Sequence, residues 1–331
     1  MLPVLHHAAT RRPHRLLVLL AVLAAVLCHA AAPAGAAVSG PVIDREFADP
    51  DVVKAGGTYH AYATNGEGKN IQHATSRDLV HWTVVGADAL PSLGAWAVPD
   101  RGKVWAPEVF DNGTGFTMHY TALDRAGGKQ CIGAALSPSP DGPFRPVGDG
   151  PLVCPVAEGG AIDASSYTEN GHRYMLWKND GNCCEMDTWL HLQPVSRDGT
   201  RTTGPAVRLI KQDRPWEGKV VEAPTLVKRA GRYVLFYSAG FYGEDAYKTG
   251  YALASRLNGP YTKAEAPLMS TESFAGAVHS PGGQDVVTGP DGRDRIVFHG
   301  RRALGSPRAM YIAGLGFENG RPVVRGGAAG A

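Results

Sequence analysis

The sequence predicts an all-β protein, a five-bladed β-propeller, on three observations. A strand, glycine turn, strand unit occurs five times, and its turn glycines Gly56, Gly113, Gly171, Gly231 and Gly292 lie 57, 58, 60 and 61 residues apart. Glycine is abundant, 42 of 331 residues, and the apolar runs are short and rich in aromatic and β-branched side chains; that composition suits many short strands joined by tight turns. No apolar stripe of helical period is long enough to suggest a second domain. A near-constant period of this length marks propeller blades, whereas a β-sandwich has no such period and the coil of a β-helix is much shorter.

Residues 1–37 differ in kind from the rest. Arg11, Arg12 and Arg15 precede an apolar run from Leu16 to Leu27, and small residues follow through Ala34, Ala36 and Ala37. A basic start, a short apolar stretch and a small-residue exit make a secretory signal peptide, and the run falls short of the roughly 20 residues of a membrane span. The expectation is a secreted, extracellular protein with one propeller domain over residues 38–331. The leader carries three arginines and no acid, so the formal charge of +2 falls to −1 once it is removed. No basic face remains to engage nucleic acid, and no membrane partner is expected. Loss of Cys28 leaves Cys131, Cys154, Cys183 and Cys184, an even set in an oxidising compartment. Three pairings are open. Cys131 with Cys154 is favoured, beside a vicinal Cys183–Cys184 pair; a four-thiolate metal site lacks the C-x-x-C spacing it needs.

The blades follow in order. The first runs from Asp49-Pro50-Asp51 through Gly56 to Thr64, the second from Trp105-Ala106-Pro107-Glu108 through Gly113 to Tyr120, and the third from Asp163-Ala164-Ser165 through Gly171 to Trp177. The fourth runs from Val221-Glu222-Ala223-Pro224 through Gly231 to Ser238, and the fifth from Gln284-Asp285 through Gly292 to His299. A third strand ending in a polar turn follows each, as at Ala74-Thr75-Ser76-Arg77-Asp78, and the unit length leaves room for a fourth. Either residues 38–48 or Arg321-Pro322-Val323-Val324 would complete the last sheet.

The first strand of each blade lines the central channel, so its entrance faces a common site. Allowing about one residue of slack between copies, the five entrances read Asp49, Trp105, Asp163, Glu222 and Gln284. One such acid is a common strand-end acceptor, but three at one phase of a ring repel one another unless function requires them. Two carboxylates across a cleft are what glycoside hydrolysis needs: one protonates the leaving oxygen while the other activates water from the opposite face, at about 6.5–9.5 Å in inverting enzymes.

These motifs, Ala48-Asp49-Pro50-Asp51, Val104-Trp105-Ala106-Pro107-Glu108, Ala161-Ile162-Asp163-Ala164-Ser165-Ser166 and Val221-Glu222-Ala223-Pro224, occur in this order over nearly the whole mature chain. Together they resemble glycoside hydrolase family 43, five-bladed propeller enzymes active on arabinose- and xylose-containing polysaccharides. The resemblance implies single displacement with inversion, with Asp49 as general base, Asp163 as pKa modulator and Glu222 as general acid. It implies an arabinofuranosidase or arabinanase acting on arabinan, arabinoxylan or their oligosaccharides, or a β-xylosidase with the same acids. The reading from a different class is a glycan-binding propeller without turnover.

Trp105 is placed to stack on a sugar ring, and Gln284, His299 and Arg301 are further candidates for substrate binding. Asp51 points to the same face as Asp49 and is the second candidate for the base; Glu108 lies near the mouth but off the shared phase. Blade five reads Ser280-Pro281-Gly282-Gly283-Gln284 where many family members read Gly-Pro-Gly-His. No cofactor is required and no metal ligand is assigned, although the resemblance allows calcium or another ion in the central channel. The polar run Lys178 to Cys184 is expected at the rim.

Overall fold

A computed structural model describes residues 1–4 and 40–326 of the chain; the signal-peptide reading falls, apart from its first four residues, outside them. No helix of the described residues is long and apolar enough to cross a membrane. The described chain folds into five antiparallel four-stranded sheets, each a meander in chain order. Blade one holds β1 (Asp51–Ala55), β2 (Thr58–Ala63), β3 (Gln72–Ser76) and β4 (Trp82–Val84). Blade two holds β5 (Trp105–Asp111), β6 (Phe116–Leu123), β7 (Gln130–Ser137) and β8 (Arg145–Val147). Blade three holds β9 (Ala161–Glu169), β10 (His172–Asn179), β11 (Trp189–Val195) and β12 (Val207–Lys211). Blade four holds β13 (Val221–Arg229), β14 (Arg232–Ala239), β15 (Lys248–Ala254) and β16 (Thr262–Lys263). Blade five holds β17 (His279–Thr288), β18 (Asp294–Arg301), β19 (Ala309–Glu318) and β20 (Arg321–Arg325).

The innermost strands touch in the order β1, β5, β9, β13, β17 and back to β1, which closes the ring. The turn glycines of the repeat all have positive φ, from +53° at Gly56 to +90° at Gly113; this is the conformation a tight hairpin demands and a side chain resists.

Apolar burial is divided among the seams between blades. Five clusters occupy five seams; one joins Tyr62 and Ile71 of blade one to Val109 and Met118 of blade two, and another joins Val234 and Phe236 of blade four to Phe298 and Tyr311 of blade five. Each blade is thus apolar on both faces, and no blade buries its surface without its neighbours. Of the two alternatives for completing the last sheet, the C-terminal one holds. β20 pairs with Gly314–Glu318, and the lead-in adds a bridge from Ile43 to Met310 at the start of β19. Ile43 and Phe47 seal that seam. Cys131 pairs with Cys154 and Cys183 with Cys184.

Candidate active site

Each inner strand has a residue of left-handed conformation at or near its entrance: Asp49 (φ 50°), Ala106 (φ 42°), Asp163 (φ 56°), Ala223 (φ 48°) and Gly283 (φ 57°). This is the true phase of the ring. Asp49 and Asp163 occupy it as expected, but Trp105 and Glu222 lie one residue before it and Gln284 one after. The cause is a bulge at each entrance, visible as register jumps between Trp105 and Glu108, Glu222 and Thr225, and Gly282 and Asp285. A bulge re-aims side chains, so consecutive residues such as Glu222 and Ala223 both reach the mouth.

Above the channel lies a cleft of about 480 Å³ lined by Asp49, Trp105, Asp163 and Glu222. Four of the seven residues singled out from sequence are therefore brought together. The other three serve elsewhere. Gln284 is buried: its amide donates to Ala223 O and accepts from Ser238 Oγ, tying blade five to blade four. His299 is buried behind Asp49, outside the cleft lining. Arg301 is spent on the carbonyl of Ser306, and the arginine that reaches the cleft is Arg308.

Asp49 accepts from Thr64 Oγ1 at 2.6 Å, and Arg308 Nη1 lies 3.8 Å from its Oδ2. His299 Nδ1 is 3.2 Å from Asp49 N and 3.3 Å from Oδ1, so the ring accepts from the amide when neutral or donates to the carboxylate when charged. Burial pushes Asp49 up, but His299, Arg308 and Thr64 together outweigh it and hold the carboxyl below its usual range. Gly283 makes the seat possible: a Cβ there would lie 2.5 Å from His299 Nδ1 and 2.7 Å from Asp49 Oδ1. A Cβ on Gly282 would lie 2.2 Å from the Tyr247 ring. The Gly-Gly pair of blade five accommodates these two rings.

Glu222 is held at both oxygens. Tyr247 donates to Oε1 at 2.7 Å and Lys178 Nζ to Oε2 at 3.0 Å. Asp163 accepts the amide of Ala223 at 2.9 Å, which fixes it beside Glu222. Burial and the Glu222 charge push Asp163 up to about 8, against the pull of Lys178. Asp163 therefore holds a proton to higher pH than an ordinary aspartate does, and its coupling to Glu222 is part of the cause. Lys178 has no exposed surface and also lies 3.5 Å from Asp180.

Beneath the cleft a narrow channel holds a second ring of Asp51, Glu108, Ser165, Thr225 and Asp285, two residues past the first. The three acids there accept amides of the neighbouring blade: Asp51 from Val109, Glu108 from Ser166 and Asp285 from Val52. Burial raises all three, and repulsion from neighbouring acids adds to it at Asp51 and at Glu108, which reaches about 8. Asp51, the second candidate for the base, lies in this channel and does not line the cleft.

Sequence reasoning missed Tyr247 and Arg308, which line the cleft from connections outside the repeat phase. The polar run after blade three did carry a signal: Lys178, Asp180 and Asn182 line the cleft from it.

This cleft, three partly buried carboxylates in two electrostatic settings on a five-bladed ring, agrees with the relatives of the chain. The family profile described as glycosyl hydrolases family 43 matches residues 38–322. The chain belongs to that family. Among family-43 relatives, an α-L-arabinofuranosidase 43 of Humicola insolens is 29% identical over 302 residues, which cover 83% of this chain and 58% of that protein. An extracellular exo-α-(1→5)-L-arabinofuranosidase of Streptomyces chartreusis is 28% identical, with 82% of this chain and 85% of that protein covered. The crystal structure of a thermostable family-43 glycoside hydrolase superposes with a TM-score of 0.75 at 30% identity, over 88% of this chain and 95% of that one. Family-43 proteins are glycoside hydrolases, and inversion of configuration is characteristic of them.

Proposed function

We propose that this protein is a secreted inverting glycosidase that hydrolyses α-L-arabinofuranosyl linkages in arabinose-containing polysaccharides. The observation that carries this reading is the contrast between Asp49, held below its usual range despite burial by His299, Arg308 and Thr64, and Asp163, raised by burial and by Glu222 beside it. Asp49, the ionised one, takes a proton from water as that water attacks the anomeric carbon. Glu222 gives its proton to the departing glycosidic oxygen, and the anomeric C–O bond breaks with its electron pair leaving on that oxygen. Asp163, beside Glu222, keeps a proton in the pair up to neutral pH. Lys178 and Tyr247 fix the Glu222 carboxyl in direction, and Trp105 supplies an apolar face for a sugar ring.

Arabinose is favoured by the relatives' names: an exo-α-(1→5)-L-arabinofuranosidase in Streptomyces chartreusis and an endo-α-(1→5)-L-arabinanase in Bacillus subtilis, both called extracellular. Secretion is further supported by the basic–apolar leader and by two disulfides. The channel acids Asp51, Glu108 and Asp285, with Ser165 Oγ buried without a protein partner, fit a hard cation such as calcium. Such an ion would neutralise the like charges beneath the cleft.

The test is a panel of aryl α-L-arabinofuranosides and β-D-xylopyranosides, with NMR of the first-formed anomer. Inverted arabinose, lost in Asp49→Asn and Glu222→Gln, is expected. Retained configuration would remove Asp49 as the water-activating base; turnover of xylosides alone would move the specificity to a β-xylosidase; no turnover at all would leave a glycan-binding propeller.

A further inference from the structure

On the seam between blades one and two, outside the lining of the cleft, two imidazoles and a carboxylate converge. His60 projects from β2 and His73 from β3, where they are diagonal neighbours on one face: His60 pairs with Thr75, and Tyr62 with His73. His60 Nδ1 lies 3.1 Å from His73 Nε2 and 3.6 Å from Oδ1 of Asp141, which sits in the β7–β8 turn of the next blade. One ligand atom from each of the three residues falls within 4.8 Å of the other two. Four donors around a tetrahedral zinc at about 2.0–2.2 Å are spaced roughly 3.3 Å apart, so the two measured separations bracket that value.

The repeat supplies its own control. In blade two, the places of His60, Tyr62 and His73 are taken by Thr117, His119 and Ala134, as the strand registers show. There the seam closes on backbone: Thr117 Oγ1 donates to Asp198 O, and His119 Nε2 lies 2.8 Å from Gly199 O. The carboxylate of Asp198 is taken up within its own turn by Ser196 and Thr200. The first seam already has an equivalent closure in Tyr62, whose hydroxyl donates to Pro140 O. Sealing the blades therefore needs neither the second imidazole nor a carboxylate aimed at the first.

The environment suits a metal. Both histidines are almost fully buried, so their ring nitrogens are shielded from bulk water. Asp141 is exposed on an open groove lined also by His60, Thr75 and Phe116, which gives access to the ion and to one water.

We propose that His60, His73 and Asp141 bind a divalent transition metal of the zinc class, with water in the fourth position, and that the ion cross-links blade one to the outer turn of blade two. Two imidazoles and one carboxylate favour zinc over calcium or magnesium, which take all-oxygen shells. The site is separate from the channel acids.

The test is zinc titration of the purified, chelator-treated protein by calorimetry, with cobalt as a spectroscopic probe. The expected result is one zinc per chain, a melting temperature that rises by several degrees at saturation, and the visible absorption of tetrahedral cobalt. Asp141→Asn, on an exposed turn, and His73→Gln should each weaken binding at least tenfold, and zinc should no longer raise their melting temperature. His191→Gln, a buried imidazole on another seam, should bind as the parent does. Absence of binding at 100 µM zinc (a concentration of about this order separates specific sites from weak adsorption) would overturn the proposal. So would binding unchanged in Asp141→Asn and His73→Gln.

Discussion

Lys178 Nζ lies 3.0 Å from Glu222 Oε2, and the lysine side chain has no exposed surface. A full positive charge is thus built into the cleft against the residue assigned as proton donor. That charge pulls Asp163 down, and Asp163 stays raised to about 8 only because burial and Glu222 outweigh that pull.

Replacement of Lys178 by Met should therefore move the alkaline limb of kcat/KM upward. Without the cation the Asp163–Glu222 pair keeps its proton to higher pH, by about 1–3 pH units for an opposite charge removed at this distance. The maximal rate should fall, because Glu222 loses one of its two anchors. A pH profile of the variant with an unshifted alkaline limb would sink the assignment of the pair as the proton source.

Gly283→Ala should impair the base with little change elsewhere in the cleft. The new Cβ meets both His299 and Asp49 within 2.7 Å, at a backbone φ of 57° that side chains resist. Overpacking of this kind costs about 1–3 kcal/mol of stability, and the displaced Asp49 should reduce kcat more than it raises KM. Steady-state kinetics alongside urea denaturation check both parts; wild-type kcat in a folded variant would show that the seat of Asp49 tolerates the shift.

The channel acids should make stability fall as pH rises. Glu108 has a folded value of about 8 against 4.5 in a free chain. Below 4.5 both states are protonated and the contribution is intact; between 4.5 and about 8 the unfolded chain has released a proton that the folded one retains, so stability declines with each unit. Glu108→Gln keeps an oxygen for the Ser166 amide and removes the charge, so its melting temperature should gain on the parent's progressively from pH 5 to pH 8. A constant difference across that range would contradict the repulsion inferred here.

Blade four contains a buried ion pair away from the cleft. Lys263 Nζ lies 2.8 Å from Glu217, whose carboxylate is fully buried and also accepts from Tyr237 at 2.7 Å. Lys263→Met should cost about 3–5 kcal/mol, the penalty for stranding one buried charge, and the double change with Glu217→Gln should recover part of it. Chemical denaturation of the three variants measures this directly. Additive losses would mean the two residues do not depend on each other.

The five-blade count, the strand order and the convergence of Asp49, Asp163 and Glu222 on one cleft were legible in the chain, because a repeat stamps its period on glycine turns and strand entrances alike. Local pattern determines these features: a hairpin needs its positive-φ residue wherever the fold places it. The one-residue offset of Trp105, Glu222 and Gln284 was not legible, since a bulge changes which face a side chain takes without altering composition. Arg308, Tyr247 and the partners of Lys178 were decided only in three dimensions. They reach the cleft from connections whose course depends on how neighbouring blades pack, and the groups that set Asp49 apart from Asp163 come from residues as far apart in sequence as Thr64 and Arg308. Sequence alone supplied the acids; tertiary packing set the electrostatic surroundings of each.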